Sequence, residues 1–278
     1  MVIVSNKGVS PHPDIPPLTI TTPGIRKLLD NINSHKASGP DNISGRILKD
    51  LQNFTAPILT IIFQKSLQTG CIPTDWKHAN VAPAYKKGEK YNAANYRPIS
   101  LTCISCKIME HVITKHVLNH LESNNLLYDL QHGFRHSRSC ETQLLSFVQE
   151  LAANSDKNIQ TDLIIMDFDK VPHQRLLYKL KFYGIKNQTL TWISAFLLNR
   201  TQTVVLDGES SDIAPVTSGV PQGTVLVTRL FLVYINDLSY MKSSQLRLFA
   251  DDSIIYKTIK SQKDCDSLQE DLDGQVTG

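Results

Sequence analysis

Three carboxylates stand out for where they fall in the chain. Asp167 closes the run LIIMD, and Asp251 with Asp252 interrupts LFADDSIIY. Each sits where an apolar stretch ends, so that a rigid strand would carry an acid at its tip. Nucleotidyl transfer needs two divalent cations about 3.5–4 Å apart that clamp the attacking and leaving oxygens. Magnesium demands hard oxygen ligands, and carboxylates on rigid elements supply them. Asp169 lies two residues past Asp167, on the same face if the strand continues, and is a fourth candidate ligand. Either motif alone is a weak signal. Strand-end acids are commonly solvated, and an Asp–Asp pair arises by composition alone in a chain of this size.

The elements that would hold these acids can be read from periodicity. TDLIIMDFD is a continuous apolar run, which predicts a strand buried on both faces. LRLFADDSIIY predicts two short strands meeting at Asp251 and Asp252, a hairpin with acids at its turn. TQTVVLDG alternates like a strand, VLVTRLFLVYINDL reads as a largely buried helix, and helical patterns cover Gln174–Tyr183 and Leu190–Leu198. Upstream the chain reads as mainly helical, with one short extended piece near Asn80–Tyr85. Thr22 caps a first helix with Pro23 at its first position and Ile25, Leu28, Leu29 and Ile32 as its apolar stripe. A second runs from about 56 to 69 with Pro57 near its start, a third from about Cys103 to Leu121, and ETQLLSFVQELAANS is a fourth. The order of elements predicts an α+β fold, a helical lobe followed by a small sheet with helices on one side.

Composition limits the alternatives. The chain has 278 residues, 41% of them hydrophobic and 20% charged, which allows a sizeable core and excludes disorder throughout. Thirteen Gly, thirteen Pro and five Cys exclude collagen and a disulfide scaffold. No apolar run approaches the ~20 residues of a membrane span, and no signal-peptide pattern opens the chain. The expectation is an intracellular protein, in nucleus or cytoplasm, with no membrane contact. Net charge is +3, tolerant of a polyanion without announcing one. Basic residues concentrate in KHANVAPAYKKGEK, where Lys86, Lys87, Lys90 and nearby Arg97 are interleaved with Tyr85, Tyr91 and Tyr96. Those rings could stack on bases, though at least two of them read as core residues. Cys103 and Cys106 have half the spacing of a zinc site with no second pair to match, so buried free thiols are the better reading.

Taken in order, KASGPDNISGRILKDL, VAPAYKKGEKYNAANYRPISLTC, HGFRHSRSCETQLL, LIIMDFDKVPHQRLLYKLKFYGI, TSGVPQGTVL, YINDL and LFADDSIIY resemble the reverse transcriptase of non-LTR retrotransposons of the Jockey and CR1 kind. The resemblance runs from about Leu18 to about Asp273. It implies a right-hand polymerase fragment: a loose leader over 1–18, a mainly helical fingers region with its preceding helices over 19–155, and a partial palm over 156–278, truncated before the thumb. The palm would be a small antiparallel sheet backed by helices. Asp167, Asp251 and Asp252 match the catalytic acids, holding two Mg²⁺ ions, with Mn²⁺ as a substitute. Lys87 and Arg97, with Gln222 and Gly223, match residues that meet the incoming nucleotide. Gly133, Phe134 and Arg135, with Ser218, Gly219 and Pro221, match positions along the template. An RNA template, a DNA primer and dNTPs are the implied partners, with no stable protein partner.

The chain departs from the family pattern in three places. Asp167-Phe168 runs straight into Asp169-Lys170-Val171-Pro172-His173, without about four residues that carry backbone N–H groups for the triphosphate and an aromatic gate against the ribose. A two-residue slip could let Asp169 replace Asp167 without turning the buried set outward, so metal binding is expected to survive and the nucleotide pocket is not. A Gly-Pro helix entry is replaced by Val227-Thr228, and Arg229 enters an otherwise apolar helix. Burying that guanidinium unpaired costs several kcal/mol, so it either reaches the surface or an acid, or the helix packs badly. Third, the expectation from the ends is a chain without a preceding endonuclease or a following thumb. The expectation is a decayed fragment, an impaired polymerase or a non-catalytic RNA-binding relic of a mobile element.

Overall fold

A computed structural model describes residues 10–135, 137–167, 171–216, 223–239 and 243–277. It is mixed α+β, about half helical, with two small sheets. In chain order the elements are α1 (Thr22–Asp30), α2 (Gly45–Asp50), α3 (Gln52–Thr69), α4 (Thr74–Lys77), β1 (His78–Tyr85), β2 (Tyr96–Leu101), α5 (Ile104–Ser123), α6 (Cys140–Ser155), β3 (Gln160–Asp167), α7 (His173–Phe182), α8 (Asn187–Leu197), β4 (Arg200–Leu206), β5 (Glu209–Ser210), β6 (Ala214–Val216), α9 (Val225–Ile235), β7 (Gln245–Phe249), β8 (Asp252–Ile259) and α10 (Gln262–Thr277). They divide into two compact units, one of residues 11–120 and 171–227, the other of residues 121–170 and 228–278.

The first unit is built on the five-stranded sheet β2-β1-β4-β5, with β6 also pairing β4. The extended piece expected near Asn80–Tyr85 is therefore two strands, because YRPISL joins it antiparallel. Pro98 conceals that strand from a propensity reading. Pro83 and Pro98 stand opposite each other in register, which a ladder accepts only at a non-hydrogen-bonded pair, where neither N–H is needed. The helices bury Ile25, Leu29, Phe63, Leu67, Trp192 and Phe196. Trp192 stacks on Phe196 at 5.3 Å and gives its indole N–H to Ser66 Oγ at 3.0 Å, so a polar handle is satisfied inside the core.

Helix boundaries shift from expectation for local reasons. Thr21, not Thr22, caps α1, its Oγ1 accepting from Gly24 N. α3 starts at Gln52, so Pro57 lies inside it rather than near its start. Residues 10–18 form no helix or strand, yet Ile15 is buried, its N–H bonds Gly184 O at 2.8 Å, and Asp14 meets Lys186 Nζ at 2.5 Å. Cys103 and Cys106 are free and buried, and Cys71 and Cys140 are free and exposed. No described helix is long and apolar enough to cross a membrane.

The second unit carries the sheet β3-β8-β7, antiparallel throughout. Leu246, Leu248 and Ile255 face a core completed by Ile235 of α9 and Leu268 of α10, with Ile164 and Met166 packed against it. β3 is not buried on both faces as its apolar run predicts. It is an edge strand, and Leu163 and Ile165 point away from that core, Ile165 being 70% exposed. A continuous apolar run does not distinguish a central strand from an edge strand with one bare face.

Candidate nucleotidyl-transfer site

β8 brings the acids together. It pairs with β3 so that Asp252 stands directly opposite Asp167, and with β7 so that Asp252 also closes the hairpin opposite Phe249. The two residues between, Ala250 and Asp251, form the turn. Ala250 has φ +55°, as the first position of a two-residue hairpin requires and where glycine is the usual occupant. Asp251 and Asp252 are exposed. Only the backbone of Asp167 is described, and Asp169 lies outside the described residues. Among the described side chains no three His, Cys, Asp or Glu converge on one metal position. The donor set is nonetheless of the right kind, two exposed carboxylates beside the strand position of a third, all hard oxygen.

A glutamine that sequence reasoning missed holds the turn. Gln131 Oε1 accepts from Ala250 N at 3.2 Å and from Gly133 N at 2.7 Å. Leu248 N bonds Leu130 O at 3.1 Å and His132 N bonds Leu248 O at 2.9 Å, so residues 130–132 run beside β7 like a short extra strand. Gly133 presses onto the turn so closely that a Cβ there would collide with the Ala250 backbone nitrogen. Gly133 is thereby brought against the acid turn, and Phe134 and Arg135 follow it in the chain. Arg135 Nη1 is bonded to Tyr128 O at 2.9 Å.

Arg229 finds a partner in that segment. Its Nη1 donates to Phe134 O, and its guanidinium lies 5.3 Å from the centre of the Phe134 ring. Phe134 has φ +55°, so the contact falls on an unusual backbone conformation. The expectation that the head reaches the surface holds in part: Arg229 is half-buried, and a carbonyl and a ring face meet the cation at a solvent-exposed bond. Burial holds the Arg229 pKa below its usual value.

Arg247 on β7 forms a second polar knot in the same sheet. Its Nη2 meets Glu150 Oε2 at 2.7 Å, its Nη1 meets Ser146 Oγ at 2.6 Å, and its Nε meets Tyr256 Oη at 2.9 Å. Tyr256 also donates to Glu150 Oε2 at 2.7 Å. Burial, then that bond to Glu150, pushes the Tyr256 hydroxyl up to about 12. The only sequence signal was an arginine flanked by core leucines in QLRLF.

Lys87 and Arg97 belong to the other unit, Lys87 in the loop after β1 and Arg97 on β2 opposite Ala84. Both are exposed. Lys86 N bonds Asn95 O at 2.8 Å, Tyr85 Oη bonds Gly88 O, and Tyr96 Oη bonds Lys90 O, which ties the loop across its base. None of Tyr85, Tyr91 and Tyr96 is a core residue, contrary to expectation, and Tyr91 is 88% exposed. They sit where a strand pair leaves the sheet. Gly223, with φ +94°, precedes α9. Ser218, Gly219, Pro221 and Gln222 lie outside the described residues.

Comparison with known proteins returned one family, described as reverse transcriptase (RNA-dependent DNA polymerase), matched over residues 85–275. The chain is 31% identical over 229 residues to the RNA-directed DNA polymerase from mobile element jockey of Drosophila melanogaster, covering 81% of the chain and 25% of that protein. It is 27% identical over 273 residues to the jockey polymerase of Drosophila funebris, covering 93% and 30%. It is 26% identical over 263 residues to the probable RNA-directed DNA polymerase from transposon X-element of Drosophila melanogaster, covering 88% and 28%. The chain thus spans between a quarter and a third of the length of these curated relatives.

Proposed function

Because the chain belongs to the reverse transcriptase family, we propose that it is an RNA-templated DNA-synthesis domain whose metal-holding acids persist while its nucleotide pocket is weakened. One observation carries the first half: Asp252 faces Asp167 across the ladder with Asp251 in the adjoining turn. In this reading the three-stranded unit is the palm and the five-stranded unit belongs to the fingers. Asp167, or Asp169 after a two-residue slip, would join Asp251 and Asp252 in holding two Mg²⁺ ions. Bound there, the ions supply Lewis-acid stabilisation of charge on the phosphoryl oxygens. The chain itself positions: Lys87 and Arg97 meet the triphosphate, Arg as a fork and Lys as a point charge. Gln222 and Gly223 lie under the nucleotide, and Gly133, Phe134, Arg135, Ser218, Gly219 and Pro221 line the template. The primer 3′-hydroxyl attacks the α-phosphate and diphosphate leaves.

The weakened pocket is supported by the short connection from β3, ending at Asp167, to α7, beginning at His173. Pro172 is the N-cap residue of α7 and has no N–H to offer a phosphate. Primer extension on an RNA template with Mg²⁺ or Mn²⁺ is therefore expected to give no signal above an Asp251→Ala control. Robust extension that this substitution abolishes would overturn the weakening and leave the acids in their role.

A second reading, association with RNA without catalysis, is favoured by the exposure of Lys86, Lys87, Lys90, Tyr91 and Arg97 around one strand connection. Phosphate contacts release counterions, so log affinity should fall linearly with log salt, and Lys87→Ala with Arg97→Ala should flatten the slope by about 2. An unchanged slope would remove this surface from RNA binding.

A further inference from the structure

The polymerase reading makes no use of Glu110, the one carboxylate of α5 that is fully buried at 0% exposure. Its Oε2 accepts from Leu226 N at 3.1 Å, 116 residues further along the chain. Leu226 is the second residue of α9, whose first-turn N–H groups have no partner within the helix. A buried carboxylate there answers both the unpaired donors and the positive end of the helix dipole. Its surroundings are arranged for a charge. Arg200, 2% exposed on β4, gives Nη1 to Phe196 O at 3.1 Å, stacks over the Phe196 ring at 4.6 Å, and leaves Nη2 without a hydrogen-bond partner in the protein. Cys106 Sγ lies 3.9 Å from Glu110 Oε1, and Lys107 of the same helix adds a second cation to the field.

We propose that Glu110 is a positioning residue, pinning the first turn of α9 from across the sequence and so fixing where the segment ending at Gly223 is anchored. This rests on the reading of Ser218–Gly223 as the nucleotide- and template-facing segment. Gly223, at φ +94°, stands two residues before α9, so a shift in the helix start moves that turn directly. Without the carboxylate, Val225 and Leu226 would have to satisfy buried N–H groups another way, and the helix start would fray or slide.

The tie has a pH signature of its own. Burial raises the Glu110 pKa to about 7, against the lowering influence of the Leu226 amide, Arg200, the Val225 amide and Lys107. Burial also pushes the Cys106 thiol well up, so it stays neutral beside the carboxylate. Two opposite trends follow. The native chain holds this proton more tightly than the unfolded chain, so the contribution to global stability falls as pH rises from about 4.5 to about 7. Locally the order reverses. When the α9 turn opens, Glu110 stays buried but loses its amide donors and binds the proton more tightly still, so raising pH through about 7 favours the closed turn.

Hydrogen exchange followed by mass spectrometry on the whole chain, corrected for intrinsic exchange rates, reads both trends. In the unaltered chain the contribution of Glu110 to the global unfolding midpoint should fall between about pH 4.5 and 7, and protection of peptides covering residues 223–231 should rise as pH climbs past about 7. Glu110→Gln, which keeps a carbonyl acceptor but no charge, should flatten both. Glu110→Ala should speed exchange at these residues by more than about tenfold, the factor for losing a hydrogen bond to a charged acceptor, with β1 and β2 within twofold. Equal loss of protection throughout Glu110→Ala, or a pH trend retained in Glu110→Gln, would overturn the proposal. Because Glu110→Gln is a near-isostere, the pH comparison stands even where Glu110→Ala fails to fold. Neither measurement depends on polymerase activity, so a chain that extends no primer still tests Glu110, and a chain that does still leaves it open to refutation.

Discussion

Replacing both turn acids, Asp251→Asn with Asp252→Asn, is expected to weaken Mn²⁺ binding at least about a hundredfold, since the change removes ligands and exceeds the 10–100-fold cost of losing outer-shell support. The same protein should melt at an equal or higher temperature. The two carboxylates are exposed, adjacent in sequence and beside the strand position of Asp167, and like charges facing each other across a ladder are destabilising. Calorimetric titration with Mn²⁺, paired with a melting curve, measures both effects. A Kd within threefold of the unaltered chain would take Asp251 and Asp252 out of any metal site.

Removing Glu150 is expected to destabilise the three-stranded unit out of proportion to its own partial exposure. Glu150→Ala strands the Arg247 guanidinium, whose side chain is 8% exposed, and deprives Tyr256 of its acceptor. Breaking a buried pair from one side costs about 3–5 kcal/mol, because the remaining charge stays out of water uncompensated. Glu150 is itself about a third exposed, which favours the low end, near ~3 kcal/mol. Replacing both partners, Arg247→Met with Glu150→Leu, should recover most of that loss, as apolar substitution of a whole ion pair is often neutral. Urea denaturation distinguishes these cases. A loss below about 1 kcal/mol for Glu150→Ala would mean that the knot adds nothing to the hairpin carrying Asp251 and Asp252.

Legibility varied with the range of the interaction. The hairpin LFADDSIIY was readable because alternation and a two-residue turn are local, and the strand at TDLIIMD because an apolar run ending in acids is local too. The strand YRPISL was not, since its proline argues against a ladder and only the pairing register, which puts Pro98 at a non-hydrogen-bonded position, makes it acceptable. Arg229 read as a misfit in an apolar helix because its partners, the Phe134 carbonyl and ring, lie 95 residues back. Gln131 carried no signal at all, for a glutamine in a loop is ordinary until its carbonyl is found holding Ala250 N 119 residues away.

The amino-acid order alone indicated most of the elements, the family resemblance and the three candidate acids, because each is written in spacings of two to seven residues or in ordered motifs. Tertiary structure alone decided which faces are bare, which strand Asp167 meets, and that Glu110 ends against the first turn of α9. Those outcomes depend on register and packing between segments about a hundred residues apart, where the closing of long loops is repaid only by the complete set of contacts. No stretch of sequence holds that set by itself.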